Sequence, residues 1–148
     1  MSNVDTLFTS NKYRELSELG SKLNMSFSSH LDLGKMIIAL DGIKKCLLVL
    51  DTGREVKRPT IIDLNEVAVV AVKKSYGSIT QEELNYKGLE QFLEKIDLQF
   101  ELTRGKPTIV LPFYDHSIDK LADRRKLERN ADTWRMILSK MLGGAISN

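Results

Sequence analysis

Residues 96–103 alternate without error: Ile96, Leu98, Phe100 and Leu102 take one parity, and Asp97, Gln99, Glu101 and Thr103 the other. A period of two sends successive side chains to opposite faces of a strand, so this segment predicts a strand with one dry and one wet face. A dry face needs a cover, and a helix lying on an antiparallel sheet supplies one. The cover is written further along the chain. Leu127, Ala131, Trp134, Leu138 and Met141 recur at spacings of four, three, four and three, with Ile137 widening the stripe. That is the apolar face of an amphipathic helix. Arg124, Arg125, Lys126, Glu128, Arg129, Asp132, Arg135 and Lys140 fall on or near its solvent side, and Gly143-Gly144 is a natural stop. Trp134, the single tryptophan of the chain, sits mid-stripe and is predicted to be core.

More strands precede that pair. Residues 36–40 (MIIAL) and 43–50 (IKKCLLVL) flank Asp41-Gly42, which predicts a hairpin with a two-residue type I′ turn. In residues 25–33, Met25, Phe27, Ser29, Leu31 and Leu33 share one parity against Ser26, Ser28, His30 and Asp32, a further strand. After a polar connector at 51–59, residues 60–64 and the β-branched run 67–73 predict strands on either side of a kink at Asn65-Glu66. Residues 75–95 form an excursion with a short helix, opened by the capping-box pattern Thr80-Gln81-Glu82-Glu83. Residues 104–107 turn the chain into a returning strand at 108–113, where Pro112 marks an edge or an end. Near the amino terminus Tyr13, Leu16, Leu19 and Leu23 recur at helical spacing, predicting a helix of about three turns that begins near Asn11. Gly20 weakens its second half, and its stripe needs a partner: the protein's own sheet or a second copy.

The chain of 148 residues carries 22 Lys and Arg against 20 Asp and Glu, a formal charge of +2. That is too small to imply a nucleic acid or an anionic membrane as the obvious partner. The basic stretch Arg124-Arg125-Lys126 with Arg129 is diluted by Asp119, Asp123, Glu128 and Asp132, so no nucleic acid is expected. No apolar run approaches the ~20 residues of a membrane-spanning helix, and residues 1–20 lack the pattern of a secretory signal. A cytoplasmic protein is expected, or one at the cytoplasmic face of a membrane if an anchor precedes this sequence. The domain reading is an N-terminal helical segment at 1–24, one α+β domain at 25–142 and a tail at 143–148.

The run of antiparallel strands closed by a carboxy-terminal helix with a buried tryptophan resembles the layout of bacterial pleckstrin-homology-like domains. The resemblance rests on residues 61–67 (IIDLNEV), a strand, polar kink and valine-rich strand, and on the hairpin at 96–113 leading into the helix at 131–142. It covers residues 25–142. It implies an antiparallel sheet or open β-barrel covered by the carboxy-terminal helix, with the short amino-terminal helix outside it. Some members of that class bind inositol phosphates through a basic cluster on the first hairpin loop. The comparable turn here, Asp41-Gly42 with Lys44 and Lys45 beyond it, is too tight and carries an acid. Arg54, Lys57 and Arg58 occupy a roomier loop where cations can meet a phosphate.

Chemical motifs are sparse. The one cysteine, Cys46, lies in an apolar run and reads as core in a reducing compartment; it permits neither an internal disulfide nor a thiolate metal cluster. His30 and His116 are the only histidines, and neither stands at metal-ligand spacing from further nitrogen or sulfur ligands. Neither a nucleophile elbow nor a glycine-rich phosphate loop occurs. The expectation is a non-enzymatic interaction module without metal or cofactor, whose partner is another protein or a second copy. Two surfaces serve that reading: the stripe Tyr13, Leu16, Leu19 and Leu23, and a strand edge near residues 104–112 able to accept an added strand. The alternatives are an anionic-lipid or phosphoinositide-type head-group binder acting through Arg54, Lys57 and Arg58, and a small-ligand enzyme using His116 or His30 beside carboxylates.

Overall fold

The computed structural model describes residues 14–51, 59–86, 88–119 and 123–142. Tyr13, the connector residues Arg54, Lys57 and Arg58, the expected helix start near Asn11 and the stop at Gly143-Gly144 lie outside the described residues. The fold is mixed α+β, with two antiparallel sheets, a short N-terminal helix and a longer C-terminal helix. The chain divides into two compact units, Met1–Asp63 and Leu64–Asn148, a boundary inside the span 25–142 that the sequence treats as one domain.

In the first unit, helix α1 (residues 14–22) precedes a four-stranded meander of β1 (Ser29–Asp32), β2 (Met36–Asp41), β3 (Cys46–Asp51) and β4 (Pro59–Asp63). Asn24 ends α1 in the left-handed region, at φ 56°. Its N–H donates to the Ser21 carbonyl and the N–H of Met25 to that of Gly20, a Schellman stop. The α1 stripe lies on its own sheet. Leu16 is buried with Ile37, Ala39 and Leu48, and Leu19, Leu23, Met25 and Phe27 pack around them. Burying a leucine contributes about 2 kcal/mol, the support that so short a helix lacks alone. Gly20 has a packing role too: a Cβ there would stand 2.8 Å from the Phe27 ring and 3.1 Å from the Met25 carbonyl oxygen. The opposite face of β2 and β3, with Ile38, Leu40, Leu47 and Val49, is buried as well. Burial on both faces is why these two strands are continuous apolar runs.

The β2–β3 hairpin differs from the expected two-residue turn. Asp41 pairs with Cys46, so the loop is the four residues 42–45, and its positive φ falls on Lys45. The Asp41 side chain decides this: its carboxylate accepts the N–H groups of Ile43 and Lys44, both at 3.0 Å, and folds the chain into a longer turn. Positive φ at both central positions occurs instead at Arg104 (63°) and Gly105 (70°). The expected strand at 25–33 is shorter, only β1, because residues 25–27 are irregular and pack with α1.

The second unit opens with a 3₁₀ turn, Leu64–Glu66, at the expected kink, followed by β5 (Val67–Tyr76). Helix α2 (Gln81–Tyr86) and a 3₁₀ turn at Leu89–Phe92 fill the excursion, with the Thr80 hydroxyl accepting the Glu83 N–H at 3.2 Å. Then β6 (Leu93–Leu102) and β7 (Ile109–Asp115) complete a three-stranded sheet in the order β5–β6–β7. Ile96, Leu98 and Phe100 are fully buried on the dry face of β6. Opposite Ile96 and Asp97, Phe113 is an extra residue in β7, and this bulge lets Phe113 and Tyr114 both be buried. Helix α3 (Arg124–Ser139) lies against all three strands through Ala131, Trp134 and Leu138. Asp123 caps it, its side chain accepting the Lys126 N–H at 3.2 Å.

The sheets are open, which corrects the expected barrel. The strands form one four-stranded and one three-stranded sheet, and neither closes on itself. The ladder breaks at residues 64–66, where the 3₁₀ turn interrupts the extended backbone between β4 and β5. Four strands, β1, β4, β5 and β7, therefore pair on one side only within these sheets.

Candidate functional site

An unpaired strand edge presents a row of backbone donors and acceptors to any extended chain that can reach it. The four edges here are unequal. β1 has four residues with two half-buried and two exposed side chains, and β4 has five and opens on Pro59. β7 carries Pro112, which has no N–H to offer, and the Phe113 bulge. β5 has ten residues, and its stretch Val67–Val72 contains neither proline nor charge. Its ladder with β6 shifts register near Ala68 at the start and again between Ser75 and Tyr76 at the end, which leaves residues 69–75 in one register. The edge that the sequence pointed to, residues 104–112, is therefore the blunted side of this sheet, and β5 is the open one.

Beside β5 runs a cleft of about 590 Å³, lined by Val70, Ala71, Val72 and Lys74 on the strand and by Asp132 and Arg135 on α3. Val70, Val72 and Lys74 share the face that α3 covers. Lys74 reaches α3 in a hydrogen-bonded ion pair with Glu128. That hydrogen bond pushes the Lys74 ammonium above its usual pKa, against a smaller opposing effect of desolvation. Arg135 Nε stands 3.8 Å from Asp132 Oδ1, one helical turn away. The wall thus carries one anion and one cation, both solvent-accessible, above an apolar floor. The arrangement offers backbone hydrogen bonds and apolar contact and little net charge.

The residues singled out from sequence are not gathered at this cleft. Leu16, Leu19 and Leu23 lie against the first sheet. Tyr13, Arg54, Lys57 and Arg58 lie outside the described residues. Cys46 is half-buried, and burial, with Asp63 and Asp41 adding to it, pushes its thiol up, away from thiolate chemistry. His116 accepts or donates a 3.0 Å hydrogen bond with the Tyr114 hydroxyl through Nδ1, and its N–H donates to the Glu94 carbonyl. The neighbouring carboxylates hold the turn together: Asp115 accepts from the Ser117 N–H and hydroxyl, and Asp119 accepts the Asp115 N–H. His30 is an exposed residue of β1, opposite Ala39. Among the described residues, no group of three or more His, Cys, Asp or Glu side chains is arranged to hold a metal ion, and no helix is long and apolar enough to cross a membrane.

Two further clefts flank the fold. One, of about 470 Å³, has Leu89, Gln91, Arg124, Arg125 and Glu128 in its wall. The other, of about 480 Å³, surrounds Asp41 and Lys44, whose ammonium donates to the Asn24 carbonyl. Asp41 is buried, and its charge is fully used: the Ser26 N–H joins those of Ile43 and Lys44 on its carboxylate.

The sequence missed the β5 cleft because edge position is a property of long-range pairing. The one local signal was Glu128, Asp132 and Arg135 flanking the buried stripe of α3. Fold and cleft together define a mixed α+β domain with an open sheet edge. Comparison with known proteins finds no matching family, no matching curated protein and no matching solved structure.

Proposed function

We propose that this chain is a non-enzymatic protein-interaction module of pleckstrin-homology-like layout, and that it takes up an extended segment of a protein partner along β5. Support for the layout is the order of elements: four strands, three strands, then a helix laid on the second sheet with its tryptophan inward. The observation that carries the function is the cleft between β5 and α3, where a ten-residue strand without a blunting proline meets a wall of Asp132 and Arg135. A segment added there gains main-chain hydrogen bonds from β5, and its alternate side chains enter the cleft beside Val70 and Val72.

Panning a random dodecapeptide phage library on the full chain tests this, with hydrogen exchange as the readout. Enriched peptides are expected to slow exchange of β5 amides and to lose binding in Ala71→Pro, which removes an N–H mid-strand. Should Ala71→Pro fail to fold, Val72→Asp, which puts a charge in the cleft, takes its place. Peptides whose protection maps away from residues 67–76 overturn the assignment, as does a library from which nothing is enriched.

A further inference from the structure

We propose that the segment β5 accepts is β5 of a second copy of this chain, so that two three-stranded sheets join edge to edge around a two-fold axis. The inference rests on the reading of β5 as a docking edge and names its occupant.

The strand is compatible with itself. In an antiparallel pair of identical strands, residues equidistant from the two-fold axis face each other. With the axis at Val70, Ala71 or Val72, Lys73 faces Val67, Val69 or Ala71 of the other copy. Lys74 then faces Glu66, Ala68 or Val70. No such register sets lysine against lysine, the juxtaposition that natural edges use to repel one another. The flanking wall is self-complementary too. A two-fold axis normal to the joined sheet keeps both α3 helices on one face and reverses their direction. Asp132 of one copy then turns toward Arg135 of the other, and Arg135 toward Asp132. Within one chain Asp132 and Arg135 stand 3.8 Å apart in an exposed contact, a pair of little worth on its own, and Asp132 also acts on the Lys74 ammonium. Met136, four residues beyond Asp132 on the same side of α3, is 51% exposed, and a second α3 would cover it. Val69, 45% exposed on the strand, lies opposite Lys73 of the other copy when the axis is at Ala71 and packs against its aliphatic stem.

Sedimentation equilibrium of the full chain, from about 1 µM to about 1 mM, covers the affinity range of a modest interface. The expected mass rises from the 16.8 kDa of one chain toward twice that. Asp132→Arg gives a wall of two cations and Arg135→Asp a wall of two anions, so each alone should weaken self-association roughly tenfold or more. Mixing the two variants should restore a one-to-one pair. Since the Asp132–Arg135 contact is exposed, neither change threatens the fold, and the mixture serves as the check. A wild-type mass that stays at one chain throughout overturns the inference, as do variants that associate like wild type. If the mass stays at one chain while library peptides still protect β5 amides, the docking edge stands and the second copy is the wrong occupant. Association that leaves β5 exchange unchanged also overturns the inference, because the two copies then meet on another surface, and the docking edge is decided by the peptides alone.

Discussion

Asp41 shows how one side chain overrides a local pattern. Asp-Gly between two apolar runs favours a two-residue turn, since both positions tolerate positive φ. The Asp41 carboxylate instead gathers three backbone N–H groups, from Ser26 at 2.9 Å and from Ile43 and Lys44 at 3.0 Å each. It thereby joins the hairpin loop to the chain that leaves α1. These donors hold its pKa below the usual carboxylate value, the Lys44 N–H most and the Ser26 N–H next, with burial opposing them and the Ile43 N–H adding to them. A folded pKa below the unfolded ~3.9 means the group stabilises the fold fully above that value. The contribution is lost as pH falls through the folded pKa. Asp41→Asn keeps the shape but replaces an accepting oxygen by an NH₂ group facing a backbone donor. It should cost about 1–3 kcal/mol at pH 7. Urea unfolding of both proteins at pH 7 and at pH 3 is the check: the gap between them should narrow in acid. A gap of equal size at both pH values would mean that the charge of Asp41 does not contribute.

Helix α3 carries the sharpest contrast between two apolar residues on one element. Trp134 is 5% exposed and lies on the sheet, whereas Met136, two positions on, is half exposed. Trp134→Ala should destabilise by about 3–5 kcal/mol, through lost burial and the cavity left behind. Met136→Ala should change the stability of the single chain by less than about 0.5 kcal/mol. Equilibrium denaturation followed by circular dichroism, at a concentration below any self-association, reads both. The periodicities that point to Trp134 are local, which is why β6, α3 and the stripe of α1 were legible in the sequence. Each of those elements buries one face, so its cover is implied by its own spacing. Strands β2 and β3 bury both faces, and their unbroken runs concealed register and loop length. Edge or centre was equally hidden. The run VAVVAV reads the same beside one neighbour or two, and only the 3₁₀ turn at residues 64–66, which ends the first sheet, leaves β5 at the margin of the second. Pro112 did announce an edge, but the same missing N–H that marks β7 as marginal also blunts it.

Across the whole molecule charge is nearly balanced, and the balance is local as well as global. The net value of +2 spreads over 148 residues, and Lys74, Lys106 and Arg135 each stand beside an acid: Glu128, Glu66 and Asp132. A protein of this kind projects little field beyond the ~8 Å over which salt screens charge at physiological strength. Adhesion to an anionic bilayer needs the opposite, a one-signed cluster in which each Lys or Arg near the surface adds about 1 kcal/mol. Arg54, Lys57 and Arg58 share their connector with Glu55, and even with all three engaged they would supply about 3 kcal/mol, short of the ~4 kcal/mol of a millimolar complex. Flotation with vesicles of neutral lipid, and of neutral lipid mixed with phosphatidylserine, at low and at moderate salt, should therefore show no retained binding at moderate salt. The triple change Arg54→Ala, Lys57→Ala, Arg58→Ala should float like wild type. Binding that needs the anionic lipid, survives moderate salt and disappears in the triple variant would transfer the function from the β5 edge to a head-group site on that connector. Absence of flotation together with protection of β5 amides by a bound segment is the combination that the interaction-module reading requires.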